Sequence, residues 1–114
     1  ECVTAVPLHL MKYLYRGYNQ SALLAKKIAI LTGIDYKNLL VRRKFTKTQT
    51  RLSGEERRKN LKGAFFSKDK DFIEKKDILL VDDVFTTGST LRAASEALLL
   101  SGANRVAILV LARR

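Results

Sequence analysis

Apolar residues along the chain cluster in four short runs that suit β-strands. The first covers residues 3–6 and stops at Pro7, and the second covers residues 39–41. The third and fourth, residues 78–81 and 106–111, are apolar at every position. Consecutive rather than alternating apolar residues are typical of strands that are buried on both faces of a parallel sheet.

Two other segments repeat apolar residues at the spacing of an α-helix. In residues 21–31 two lysines lie on the opposite face from the apolar positions, which are Leu23, Leu24, Ile28 and Leu31. Asn19 or Ser21 could serve as the N-cap of this helix, and Gly33 as its C-cap. Residues 90–100 predict a second helix, which Gly102 ends and whose sheet-facing positions are Leu91, Ala93, Ala94, Ala97 and Leu98.

Strands and helices in this order predict an α/β fold, with a mostly parallel sheet that is flanked by helices and joined by right-handed crossovers. A chain of 114 residues is long enough for one such domain. We therefore expect residues 1–114 to form a single domain.

The chain is strongly basic, with 22 Lys and Arg against 11 Asp and Glu and a net charge of +11. Residues 42–76 hold 13 basic and five acidic residues and few apolar ones. We predict a mobile basic loop over about residues 42–76, with a short helix at 55–60 for which Ser53 and Glu56 have capping-box spacing. A basic surface attracts polyanions such as nucleic acid, anionic lipid or a phosphorylated small molecule.

Cys2 is the one cysteine of the chain, so an internal disulfide is excluded. We expect Cys2 to be a small buried apolar residue rather than a nucleophile, in a protein of the reducing cytoplasm. No apolar run approaches the roughly 20 residues that a membrane helix needs, so we expect no membrane insertion.

The strand at residues 78–81 runs directly into Asp82 and Asp83 and then into a hydroxyl-rich loop, residues 86–90. Ligands of open α/β sheets bind at the carboxyl ends of the strands, and the unpaired N–H groups of a following helix favour phosphate. Gly88 allows the backbone to approach a ligand closely, and further hydrogen-bond donors come from Thr86, Thr87, Ser89 and Thr90.

The two carboxylates suit a different part of the ligand. Neighbouring strand residues point to opposite sides, so we do not expect Asp82 and Asp83 to chelate a metal directly. A carboxylate accepts hydrogen bonds well from sugar hydroxyls. The stretch therefore predicts a sugar phosphate, with any nearby metal ion bridged through water.

Residues 78–90, ILLVDDVFTTGST in one-letter code, resemble the phosphoribosyl pyrophosphate (PRPP) binding motif of type I phosphoribosyltransferases. That motif is an apolar strand, two acids and then T-T-G-x-T. Other segments resemble the ComF family, the competence-associated phosphoribosyltransferase-like proteins. They are residues 6–9, 16–20, 46–49, 63–65 and 111–113, with Leu52, Arg57 and Asn60. The resemblance covers nearly the whole chain and implies a type I phosphoribosyltransferase-like fold.

The resemblance also implies a role for each matching residue. Asp82 and Asp83 would meet the ribose 2′- and 3′-hydroxyls and, with Arg16, would form the catalytic group. The 5′-phosphate would be held by Thr86, Thr87, Gly88, Ser89 and Thr90. The pyrophosphate, with Mg²⁺ bound through PRPP and water, would lie beside Pro7, Leu8, Arg16 and Gly17. A flexible loop that closes over the site would contain Arg43, Lys47, Gln49, Arg57 and Asn60.

Family members usually carry an amino-terminal zinc-binding cysteine cluster, whereas this chain has Cys2 alone, so we expect a fragment or a truncated member.

Three functions remain open. The first is an enzyme that transfers phosphoribosyl and releases pyrophosphate, linked to nucleotide metabolism and DNA uptake. The second is a non-catalytic module that binds single-stranded DNA or a competence-machinery protein. The third is a regulator that senses PRPP. The acceptor and the oligomeric state also stay open.

Overall fold

The computed structural model describes residues 1–7, 19–42, 65–85 and 88–113. A sheet of three parallel strands forms the centre of the described part, and an antiparallel ribbon of two short strands lies beside it. The elements follow the chain as β1 (Cys2–Ala5), α1 (Gln20–Thr32), β2 (Leu40–Arg42), β3 (Phe65–Ser67), α2 (Lys70–Ile73), β4 (Asp77–Phe85), α3 (Ser89–Leu100) and β5 (Arg105–Arg113).

Strand β4 is the middle strand of the parallel sheet, in the order β1-β4-β5. Val81 lies opposite Ala5 on one side and opposite Leu109 on the other. The ribbon of β2 and β3 packs against α3. The predicted α/β fold with a mostly parallel sheet is therefore confirmed.

Two clusters of buried side chains lie on the two faces of this sheet. Ile78 and Leu80 pack with Leu98 on the α3 side, and Val81 packs with Val3 and Ala25 on the α1 side. Successive residues of β4 point to opposite faces, so a strand that is apolar at every position can fill both clusters. Cys2 is buried as predicted, and this burial raises the pKa of its thiol.

Helix α1 has the predicted caps. Asn19 is the N-cap, because its side-chain oxygen accepts hydrogen bonds from the N–H groups of Ser21 (3.0 Å) and Ala22 (3.3 Å). Gly33 ends the helix with φ at 75°, a left-handed conformation that glycine adopts without strain. Of the two predicted N-caps, Asn19 is therefore the correct one.

The buried face of α1 differs from the apolar stripe that its sequence predicts. Ser21 and Ala25 are buried, whereas Leu23 and Leu31 are 54% and 77% exposed. Small side chains let a helix backbone approach a sheet closely. The helix therefore packs through its serine and alanines, and two of the four predicted apolar positions face outward.

Strand β5 is apolar as predicted but is not buried on both faces. Helix α1 packs against β1 and β4, so it leaves β5 uncovered on that side. Leu109 and Leu111 are 41% and 63% exposed as a result. Helix α3, by contrast, covers the other face of the sheet, and Leu91, Ala94 and Leu98 are buried there as predicted.

The predicted basic loop over about residues 42–76 is too long at both ends. Arg42 belongs to β2, and β3 and α2 lie within the carboxyl-terminal part of the predicted loop. Phe65 and Ile73 explain the difference, because both are buried in the core and hold these short elements against it. The predicted helix at residues 55–60 lies outside the described residues.

None of the helices in the described ranges combines the length and the apolar character that a membrane crossing requires.

Candidate functional site

Two adjacent acids, Asp82 and Asp83, lie in the last part of β4. The sequence placed the end of the strand at Asp82, but pairing with β5 continues to Phe85. The strand extends further because β5 offers partners as far as Arg113. The acids are thus fixed in a paired strand near its carboxyl end, where α/β sheets bind ligands.

A buried serine joins these acids to the first turn of α1. The hydroxyl oxygen of Ser21 lies 3.1 Å from Oδ1 of Asp82 and 3.4 Å from Oδ1 of Asp83. It also accepts a hydrogen bond of 3.1 Å from the N–H of Asp83. Ser21 is only 2% exposed, so these contacts form in a largely dry environment. The sequence suggested only a capping role for Ser21, and the contact with β4 was missed.

The expectation that the two carboxylates point to opposite sides is wrong. Asp82 turns back and accepts the N–H of Asp83 at 2.9 Å, which brings its Oδ1 towards Ser21. Both carboxylates therefore reach the same hydroxyl. A short side chain with a local backbone partner can override strand alternation in this way.

Burial raises the pKa of Asp82 to about 6, from an ordinary value of 3.8. The neighbouring Asp83 carboxyl raises the pKa of Asp82 further, whereas the hydrogen bond from Ser21 lowers it. Burial disfavours a charged group, and a hydrogen bond donated to the carboxylate favours the charged form. Asp82 is therefore mostly ionised at neutral pH and becomes neutral in mildly acidic solution.

The raised pKa of Asp82 predicts a pH-dependent stability. The folded protein binds the proton of the Asp82 carboxyl more tightly than the unfolded chain does. The stabilisation of the fold by this proton is therefore fully present below pH 3.8 and is lost as the pH rises to about 6. We expect the free energy of unfolding to fall by about 1 kcal/mol between pH 4.5 and 7, a value reduced for the partial exposure of the group. Urea denaturation at several pH values measures this change.

Asp82→Asn is the matched variant for the pH series, and its profile should be flat over the same interval. Asp69 and Asp77 do not interfere, because hydrogen bonds from Lys37 and Asn104 lower their pKa values and place their effects below pH 3.8. A wild-type stability that rises from pH 4.5 to 7 would contradict the assignment to Asp82.

Arg42 brings a positive charge towards the acids from β2. Its guanidinium lies 5.4 Å from the ring centroid of Phe65, and its Nε is buried without a hydrogen-bond partner among the described residues. Burial lowers the pKa of Arg42, and the negative charge of Asp82 opposes this shift. The sequence placed Arg42 in the basic loop. Its position directly after an apolar strand was the only signal of a different role.

The predicted phosphate side of the site begins at Gly88, the N-cap of α3. Gly88 has φ at 81°, a conformation that permits the sharp turn into the helix. Ser89 and Thr90 form the first residues of α3, where N–H groups point out of the helix. This helix end therefore has the polarity that suits an anion.

The carboxyl end of β1 lies next to that of β4. The N–H of Val6 donates to the carbonyl oxygen of Val81 at 2.9 Å, and the side-chain amide of Asn19 donates to the carbonyl oxygen of Val6 at 3.3 Å. Pro7 follows directly. The structure thus brings Pro7, the acids and the first turn of α1 to one edge of the sheet.

Several predicted site residues lie outside the described residues, and their roles stay predictions. They are Leu8, Arg16, Gly17, Arg43, Lys47, Gln49, Arg57, Asn60, Thr86 and Thr87.

A cavity of about 520 Å³ lies at the opposite end of the sheet, where the strands begin. Its lining includes Cys2, Asp77 and Arg105, the first residues of the three parallel strands. Ligands of this fold class bind at the carboxyl ends instead, so this cavity is separate from the candidate site. Within the described ranges, no three His, Cys, Asp or Glu side chains come together as metal ligands would.

Comparisons with known proteins place the chain in a family. Residues 14–114 match the family model of the phosphoribosyl transferase domain. The chain is 40% identical to competence protein F of Haemophilus influenzae, covering 99% of this chain and 50% of that protein. It is 36% identical to the DNA utilization protein YhgH of Salmonella typhi, covering 97% and 48% respectively. The chain thus spans about half the length of the curated relatives that it matches.

Solved structures share the fold. The glutamine phosphoribosylpyrophosphate amidotransferase from B. subtilis, complexed with ADP and GMP, superposes with a TM-score of 0.63 at 24% identity, over 96% of this chain and 22% of that one. The allosteric regulatory enzyme of purine biosynthesis gives a TM-score of 0.65 at 23% identity, over 96% of this chain and 21% of that one. The chain therefore belongs to the phosphoribosyl transferase domain family, and the resemblance to competence protein F that its sequence indicated is confirmed.

Proposed function

We propose that the chain binds PRPP at the carboxyl end of β4, transfers its phosphoribosyl group to an acceptor and releases pyrophosphate. The observation that carries this proposal is the convergence of Asp82 and Asp83 on one hydroxyl, shortly before the turn into α3. Membership of the phosphoribosyl transferase domain family supports it.

In the proposed complex the ribose hydroxyls donate hydrogen bonds to Asp82 and Asp83. The 5′-phosphate accepts hydrogen bonds from the first N–H groups of α3 and from the hydroxyls of residues 86–90. Mg²⁺ enters as part of the substrate, bound by the pyrophosphate of PRPP.

The transfer requires no covalent bond to the protein. The acceptor donates an electron pair to C1′ of the ribose, the C1′–O bond to pyrophosphate breaks, and that bond's electrons leave on pyrophosphate. The acceptor's proton passes to solvent. Positive charge develops on the sugar ring, and the ionised acids would stabilise it. Arg42, with Arg16, Arg43 and Lys47, would neutralise the leaving pyrophosphate.

Calorimetric titration of PRPP into the wild-type protein, with and without Mg²⁺, tests the binding step. We expect saturable heat that weakens when Mg²⁺ is omitted, and no heat at millimolar PRPP would reject the proposal. Pyrophosphate release in the presence of purines, pyrimidines and amines then tests transfer. Binding without release from any of these acceptor classes would favour a PRPP-sensing regulator instead.

A second candidate is a module that binds single-stranded DNA or a competence-machinery protein in the cytoplasm during DNA uptake. The net charge of +11 supports it, as do relatives named for competence and DNA utilization. Lysine and arginine contacts to phosphates release counterions, so binding should weaken steeply with salt.

Fluorescence anisotropy with a single-stranded oligonucleotide measures this salt dependence. We expect the affinity to fall by about tenfold or more between 50 and 200 mM salt. Affinity that stays constant over this range would reject phosphate-backbone binding.

A further inference from the structure

Ser21 is the one described side chain outside β4 that hydrogen-bonds to both acids. It accepts the N–H of Asp83 and lies within hydrogen-bond reach of both Oδ1 atoms, so three of its contacts converge on two adjacent residues of β4. It is also only 2% exposed, so its hydroxyl is largely shielded from solvent. The hydroxyl accepts the N–H of Asp83 and has a single hydrogen to donate, which it gives to one of the two Oδ1 atoms or shares between them.

The backbone of α1 fixes the position of Ser21. Its N–H donates to the side-chain oxygen of Asn19, and the side-chain amide of Asn19 donates to the carbonyl oxygen of Val6. These contacts hold the backbone of Ser21 beside the acids. The same chain of contacts joins the acids to the segment that leaves β1.

We propose that Ser21 is a positioning residue of the PRPP site, whose hydroxyl holds Asp82 and Asp83 side by side and keeps Asp82 ready to accept a hydrogen bond from a ribose hydroxyl. The ligand of this inference is PRPP, so that part rests on the proposed function. The contact of Ser21 with the two acids rests on the geometry alone. Without the hydroxyl, Asp82 would keep the N–H of Asp83 as a donor, but the two carboxylates would lose the hydroxyl that they share in a half-buried site.

Other charged groups around Asp82 are consistent with this role. Asp83 repels its ionised form from the same strand, and the positive charge of Arg42 faces it from β2. Arg42 acts on the pair through space, whereas Ser21 donates a hydrogen bond of defined direction. Removing Ser21 should therefore change both the titration of Asp82 and the alignment of the pair.

The test compares three variants. Ser21→Ala deletes the hydroxyl, and Ser21→Thr retains it. Ser95→Ala is the matched control, because Ser95 lies in α3 with its Oγ buried and without a hydrogen-bond partner among the described residues. Carbon-13 NMR of the Asp82 carboxyl follows its titration, and calorimetry with PRPP and Mg²⁺ measures affinity at pH 7.5 and 6.

In Ser21→Ala we expect the titration midpoint of Asp82 to rise by about one pH unit and the affinity for Mg²⁺–PRPP at pH 7.5 to fall by about tenfold, because a hydrogen bond to a charged group is lost. The loss of affinity should grow at pH 6, where more of Asp82 is protonated. Ser21→Thr should stay within about threefold of wild type, since the hydroxyl remains. Ser95→Ala should change neither quantity.

An unchanged midpoint and unchanged affinity in a folded Ser21→Ala protein would overturn the inference. If the wild type fails to bind Mg²⁺–PRPP, the proposed function fails, but the shifted midpoint still supports the Ser21 contact. If the wild type binds and the midpoint does not move, only the inference fails. If Ser21→Ala does not fold, the wild-type protein provides the test. The chemical shift of the Ser21 Cβ should then change with pH at the same midpoint as the Asp82 carboxyl, and a chemical shift that stays constant with pH would overturn the contact.

Discussion

Replacement of both acids, Asp82→Asn with Asp83→Asn, is expected to reduce the affinity for Mg²⁺–PRPP by about a hundredfold or more, because two hydrogen bonds to charged acceptors are lost. An asparagine side chain presents one oxygen where the carboxylate presents two, and it has no charge to attract a hydroxyl donor. Calorimetry at pH 7.5, where Asp82 is ionised, measures the effect.

The control for the double acid variant removes the same two charges elsewhere. Asp71→Asn with Asp77→Asn changes an exposed residue of α2 and the first residue of β4, at the opposite end of the strand from the site. Its affinity should remain close to that of wild type. Equal losses in the two double variants would mean that overall charge, rather than the acid pair, controls binding.

Leu98→Ala is expected to lower the free energy of unfolding by about 3 kcal/mol, whereas Leu100→Ala should change it by less than about 0.5 kcal/mol. The two leucines lie two residues apart in α3, but Leu98 is fully buried and Leu100 is 83% exposed. The substitution is the same at both positions and its effect on helix propensity is at most a few tenths of a kcal/mol, so the difference between them reports mainly burial.

Urea denaturation followed by circular dichroism measures both variants. The loss in Leu98→Ala arises from apolar contacts with the core that includes Leu39, Leu40 and Leu80. If both variants lose the same stability, the buried face of α3 is assigned incorrectly. If Leu98→Ala does not fold, Leu98→Met preserves most of the volume and should cost less than about 1.5 kcal/mol.

The sequence predicted those elements whose signals are local. The unbroken apolar run before Asp82 identified β4, because such runs fill both faces of a parallel sheet. Gly33 marked the end of α1, since it adopts a positive φ angle that glycine tolerates. The chemistry of the acids and the loop after them indicated a ligand site at the carboxyl edge of the sheet, which stays a prediction.

What the sequence did not predict depends on contacts between distant residues. Ser21 is 61 residues from Asp82, and nothing in its neighbours indicates that its hydroxyl faces the acids. The buried face of α1 was missed because small residues that fit closely against the sheet were given less weight than leucines. Arg42 was assigned to a loop because a strand of three residues has almost no periodicity.

The bond between Ser21 and the backbone of Asp83 has a consequence for how the protein opens. The N–H of Asp83 donates to Ser21 Oγ and to Asp82 Oδ1, so its exchange with solvent requires both hydrogen bonds to open, and the first of them opens when α1 separates from β4. This amide therefore reports the docking of two elements that are far apart in sequence. A ligand that binds the acids binds only the docked state, and mass action then slows the same exchange in proportion to ligand saturation.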